Sequence, residues 1–128
     1  MNNSTKITFL MLCTLSVSIP FHIIHAADAT NGKMLYERLC SGCHSINSNR
    51  IGPRHDTVFG STAGSVDGYN YSSALQSSKL QWNEQSLNLW LSNPEATIQG
   101  QKMFFRVSDA KSRTDIIAYL KKVSQKDY

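Results

Sequence analysis

Beyond the first 26 residues the chain has two cysteines and two histidines, and three of the four sit in one run, Cys40-Ser41-Gly42-Cys43-His44. Two thiols three positions apart on a helical turn can each add across one vinyl group of the same porphyrin. The next residue then lies below the ring centre, where its imidazole can bind iron. This order, C-x-x-C-H, is the attachment signature of a c-type haem. Other uses of the pair fit less well. A structural zinc ion takes four Cys/His ligands, and no second pair exists. A thioredoxin-like redox pair belongs to a βαβ pattern, which is missing here. A plain disulfide suits an oxidising compartment but leaves the adjoining His44 without a role.

Haem iron takes a second axial ligand from the opposite face, and in electron-transfer cytochromes a methionine is usual. Met34 lies six residues before Cys40, on the helix leading into the motif, and cannot cross the ring. His55 lies eleven residues after His44, in the loop leaving the motif, and stays on the same side. It reads as a harmless substitution or as a surface group that tunes the potential with pH. Met103 follows His44 by 59 residues, beside Gly100 and ahead of a C-terminal helix. Elimination selects Met103.

Stepping outward, three helical segments would position these groups. The first starts near Thr30 or Asn31, either a suitable N-cap, and its stripe of Met34, Leu35, Arg38 and Leu39 runs into Cys40. The second spans Asn83 to Ser92, with Asn83 as N-cap and Leu87, Trp90 and Leu91 on one face, and stops at Asn93-Pro94. The third covers about Ala110 to Ser124, with Asp115 early, Ile116, Ile117, Leu120 and Val123 as its apolar stripe, and Lys121, Lys122 and Lys126 late, as the helix dipole favours. Residues 45–81 are rich in Ser, Gly and Asn and have no long periodicity. A structureless stretch of that length needs another organiser, and a haem edge would serve. No strand run or internal repeat emerges.

The N-terminus reads differently. A short polar head carrying Lys6 precedes an apolar stretch, Ile7 to Phe21, and then small residues at Ala26-Ala27. That is the order of a secretory signal peptide, residues 1–26, cut after Ala26 or, as second choice, after Ala27. An uncleaved membrane anchor is the alternative, although the stretch is short for a span. Cys13 follows Leu12, too bulky for a lipoprotein site, and reads as one more apolar residue of the leader. The remaining domain, 27–128, holds twelve Lys/Arg against nine Asp/Glu. So weak an excess argues against a nucleic-acid binder. About one hundred residues make a marginal core on their own, which suits a bound cofactor that adds buried surface.

Taken together, the motifs resemble those of a class I cytochrome c, of the mitochondrial-like type also found in bacterial periplasms. The resemblance covers about residues 30 to 124 and rests on an ordered set. Gly32-Lys33-Met34-Leu35-Tyr36 leads into the C-x-x-C-H run. Ile51-Gly52-Pro53, Val58-Phe59-Gly60 and Gly68-Tyr69-Asn70-Tyr71-Ser72 follow. Trp82, Ile98-Gln99-Gly100-Gln101-Lys102-Met103-Phe104-Phe105 and Asp115-Ile116-Ile117-Ala118-Tyr119-Leu120-Lys121-Lys122 complete it.

The resemblance implies an all-α cytochrome c fold, with three main helices and long loops wrapped around one haem c covalently attached through Cys40 and Cys43. Iron would sit between His44 and Met103. Pro53 would accept a hydrogen bond from His44 through its carbonyl, Tyr71 and Trp82 would contact a haem propionate, and Gly32 and Tyr36 would mark the crossing of the first and last helices. Trp90 stands where a Tyr is common, and an indole cannot accept a hydrogen bond. The sequence departs from the pattern at His55 (usually Leu), Ser61 (often Arg), and Gln99 and Gln101 (usually Pro and Thr). The two glutamines bear on the stiffness of the loop before Met103.

The expected function is outer-sphere electron carriage, Fe(II) to Fe(III) and back, by a periplasmic monomer that is not an enzyme. It would meet its redox partners transiently at the haem edge, without nucleic acid and without stable membrane insertion after leader removal. Lys102 and Arg106 serve as docking contacts or form a solvated face. The alternatives are a dedicated haem subunit of a dehydrogenase or oxidase complex, a haem peroxidase and a haem-based gas sensor, the last two needing an open iron position.

Overall fold

The first helix begins where a carboxylate and two free amides meet. The Asp28 side chain accepts the N–H groups of Thr30 and Asn31, which makes it the N-cap of α1, Ala29–Leu39. The capping residue therefore precedes the expected Thr30 or Asn31. In this computed structural model, residues 26–125 are described; the expected leader up to residue 25, and Lys126, lie outside the described residues.

Four more helices follow: α2 Ser73–Ser77, α3 Glu84–Ser92, α4 Pro94–Thr97 and α5 Ala110–Ser124. The two long downstream helices, α3 and α5, have the bounds their caps and periodicity predict. Asn83 opens α3 with a reciprocal capping box, its side chain taking the Ser86 N–H while Ser86 takes the Asn83 N–H. Asn93 does more than the sequence suggested. It ends α3, and its side chain then accepts the Ala96 N–H to start α4, with Pro94 in the first turn.

The frame of the molecule is the crossing of α1 over α5. Gly32 makes it possible: a Cβ there would lie 1.9 Å from the Asp115 carbonyl oxygen and 3.0 Å from Tyr119 Cβ. Asp115 is fully buried at this crossing. Its carboxylate accepts from the Asp28 N–H at 2.8 Å, from Asn31 Nδ2 at 2.8 Å and from Lys111 Nζ at 2.5 Å. Those bonds satisfy a charge that would otherwise be expensive to bury. Leu35 and Tyr36 of α1, Leu87, Trp90 and Leu91 of α3, and Ile116, Ile117 and Leu120 of α5 then close one apolar cluster. Lys121 pairs with Glu84 at 2.8 Å across α5 and α3.

Between α1 and α3 the chain is irregular except for α2. Among the described residues the sole β-type pairing is one antiparallel bridge, Thr62 with Gln81. Around it, Gly60 N–H donates to Trp82 O at 2.7 Å, Trp82 N–H to Ser61 O at 2.8 Å and Ala63 N–H to Leu80 O at 2.8 Å. This clasp fixes Trp82 beneath the loop. The segment that looked structureless in sequence is thus held by backbone bonds too scattered to form an element.

Candidate haem site

The last turn of α1 winds directly into the cysteine motif. Cys40 N–H donates to Tyr36 O at 2.8 Å, and the Cys43 and His44 N–H groups both reach Cys40 O, at 3.1 and 2.9 Å. The two thiols and the imidazole therefore stem from one tight turn. The two cysteines are not joined to each other; Cys40 is half-buried and Cys43 exposed. Burial, reinforced by nearby Cys43, pushes the Cys40 thiol up to about 11. A thiolate is thus disfavoured there, which suits conversion to an uncharged thioether. Among the described residues no group of three or more His, Cys, Asp or Glu is placed to hold a metal ion by itself.

His44 is held from two directions. Its Nδ1 lies 2.8 Å from Pro53 O. A carbonyl only accepts, so Nδ1 carries the proton and Nε2 keeps the lone pair that can bind iron. Behind the ring, Gly52 leaves space that no side chain could share, since a Cβ there would fall 2.2 Å from His44 Cε1. Burial lowers the His44 pKa, partly offset by the Pro53 bond, and so favours the neutral, ligating imidazole.

His55 takes a position the sequence did not reveal. It lies on the same side as His44, as expected, but is half-buried rather than free at the surface: the two rings stack at 4.1 Å with 23° between planes. Its Nδ1 is hydrogen-bonded to the buried Tyr36 hydroxyl at 3.2 Å. Burial, with a smaller push from His44, drives the His55 pKa down to about 3. The ring is a neutral wedge between the motif and α1. Tyr36 also packs against Tyr119 at 5.4 Å, at the helix crossing assigned to it.

Met103 arrives from the other end of the chain. It is half-buried and packs on the same apolar cluster as Cys40, Tyr71 and Trp82. Trp82 meets Trp90 edge-on at 5.3 Å, so the indole at 90 acts in packing. Tyr71 sits edge-on to Tyr69 at 4.7 Å, and the Tyr69 hydroxyl donates to Ile51 O at 2.6 Å. Ser61, in place of an arginine, donates to Val58 O at 2.9 Å. Met34 is exposed on α1, away from any ligand role. The loop carrying Met103 is tied by Gln101, whose Oε1 accepts the Met103 N–H and whose Nε2 donates to Glu95 Oε2 at 3.3 Å. No fixed sequence spacing announces a Gln–Glu contact of this kind.

The donor set fits a c-type haem. Two thiols and a nitrogen share one turn, and a thioether packs on the same apolar cluster as one of those thiols. No rival arrangement of donors competes among the described residues. An open groove between α3 and α5, lined by residues such as Glu84, Asn88, Ile117 and Lys121, contains none of these donors.

Comparison with known proteins agrees. The family model for cytochrome c matches residues 29–124. The chain is 42% identical to the cytochrome c of Euglena viridis over 97 residues, covering 73% of this chain and 95% of that one. It is 37% identical to the cytochrome c2 of Rhodomicrobium vannielii, over 74% of this chain and 78% of that one. Among solved structures it is similar to cytochrome cH from Methylobacterium extorquens, with a TM-score of 0.71 and 41% identity, covering 75% of this chain and 99% of that one.

Proposed function

This chain belongs to the cytochrome c family and is a monohaem electron carrier with covalently bound haem c, and from that premise we propose that Cys40 and Cys43 anchor the haem while His44 and Met103 hold its iron. Bound haem supplies a one-electron Fe(II)/Fe(III) couple, and methionine ligation raises its potential. The residues of the chain do the rest. Pro53 orients His44 through its carbonyl. Trp82, fixed by the 60–63 clasp, and Tyr71 contribute contacts to the propionate edge. The buried cluster keeps water from the ring and holds the ligand geometry constant between oxidation states.

The observation that carries this reading is the packing of Met103 on one cluster with Cys40. Sixty-three positions separate them in the chain, and a haem anchored at Cys40 would need just such a return of the chain to bring a sulfur to its iron. A peroxidase would need an acid–base group on the open side, yet His55 is stacked on His44. Transient docking by redox partners fits small electron-transfer encounters. The leader pattern supports export to the periplasm and a cut after Ala26, which leaves a domain from residue 27 onward. No helix among the described residues is long and apolar enough to cross a membrane.

The purified protein should have the mass of the chain from Ala27 plus one haem. Its ferric spectrum should show the weak red-edge band of an iron–sulfur bond, and Met103→Ala should abolish that band while leaving the haem attached. A band that survives Met103→Ala overturns the ligand assignment.

A further inference from the structure

The glutamine at 101 replaces a residue that cannot do what it does here. Gln101 is only 4% exposed, and its carboxamide works in both directions. Oε1 accepts the N–H of Met103, and Nε2 donates to Glu95 Oε2 at 3.3 Å. The other carboxylate oxygen of Glu95 accepts the Gly100 N–H at 3.2 Å. Glu95 is itself seated in α4, which Asn93 caps by accepting the Ala96 N–H at 3.3 Å, and Ile98 N–H returns to Pro94 O at 2.9 Å. The chain from 98 to 103 is therefore tied to α4 near both of its ends.

We propose that Glu95 and Gln101 form a clamp that keeps the loop closed over the haem and thereby retains Met103 on the iron; this rests on the assignment of Met103 as the sulfur ligand. A methionine thioether is a weak, uncharged ligand held mainly by where the backbone places it. Loop opening frees the sulfur, and a small exogenous ligand can then take the vacated position. Opening must break the Gln101–Glu95 and Gly100–Glu95 bonds together, because both end on one carboxylate, while the Met103–Gln101 bond couples the ligand's backbone to that anchor. A threonine at 101 has a hydroxyl but no amide nitrogen to carry the link onward to Glu95. The clamp supplies the stiffness that the loss of the usual Pro and Thr would otherwise remove. Glu95 and Gln101 act as positioning residues, through the backbone of the loop rather than on the iron.

The test is a titration of the ferric holoprotein with imidazole, followed by loss of the red-edge iron–sulfur band. Glu95→Ala removes two acceptors, and imidazole should bind about three- to tenfold more tightly than to wild type. Glu95→Gln keeps one acceptor and should fall between the two. Gln101→Leu conserves volume and removes the central link, and should match or exceed Glu95→Ala. The reduction potential should fall in the same order as the sulfur is held less firmly. Binding by Glu95→Ala within twofold of wild type overturns the clamp. Glu95 is exposed, so that variant stays informative even where Gln101→Leu fails to fold. The wild-type spectrum separates the two levels of inference: without the band, the Met103 assignment falls and the clamp with it, whereas with the band present and the variants unchanged the clamp alone falls.

Discussion

Tyr36 and His55 show how much a single pair of side chains can carry. The phenol is buried, and His55 Nδ1 sits 3.2 Å from its hydroxyl. Burial raises the phenol's pKa, so it stays a neutral hydrogen-bonding group. Replacing His55 by Leu, the residue the family pattern favours, leaves that hydroxyl unpaired in the interior. We expect His55→Leu to destabilise the holoprotein by about 1–3 kcal/mol, the usual cost of stranding a buried polar group. Adding Tyr36→Phe should recover most of the loss, since both polar partners are then gone. Chemical denaturation of the four proteins in the cycle measures this. Two independent, additive losses would show that the pair is not coupled.

Among the elements, the α1/α5 crossing governs. A methyl group at position 32 would collide with the Asp115 backbone rather than with a flexible side chain. Gly32→Ala should therefore push α1 off α5 and lower stability by about 1–3 kcal/mol, against the gain Ala brings in an unpacked helix. Thermal unfolding of the holoprotein checks the sign. Asp115 adds a pH dependence to the same crossing. Burial alone would raise its carboxyl, but the bonds from Lys111, Asp28 N–H and Asn31 outweigh it and hold the pKa below the ordinary 3.8. Near that pH the unfolded chain binds more protons than the folded one. The stabilisation is complete above the unfolded value and drains away as pH falls through the folded one. Asp115→Asn should thus flatten the acid limb of a stability–pH curve as well as lowering its plateau. An acid limb as steep as that of wild type would count against this account.

The whole molecule depends on an organiser that its own core cannot replace. Core members Ala63, Leu75 and Trp82 come from loops or a one-turn helix, each far in sequence from the α1/α5 frame. Ordering such loops costs chain entropy, and a domain of this length buries little surface to offset it. The Cys40→Ser/Cys43→Ser chain, unable to attach haem, should lose its fixed near-ultraviolet circular dichroism and much of its helix signal. A cooperative native-like melt in that variant would show that the polypeptide folds without the ring.

The sequence by itself determined whatever is local. The attachment motif occupies five adjacent residues, and α3 and α5 follow from caps and a 3.6-residue period that operate within a few turns. The proposal of Met103 as sulfur ligand also rests on the sequence, because few other ligands were available to weigh against it. Where several neighbours could do one job, or where a loop had to fold back, only the tertiary structure decided. Asp28 caps α1 ahead of Thr30 and Asn31, and its own N–H is bound by Asp115, 87 positions away. His55 reaches His44 and Tyr36 because the 51–56 loop returns along 43–46, through bonds such as His55 N–H to Ser45 O at 3.0 Å. Gln101 finds Glu95 because α4 turns the chain there. Periodicity and propensity describe a residue's near neighbours, whereas these contacts depend on the path of irregular backbone, which no short-range pattern encodes.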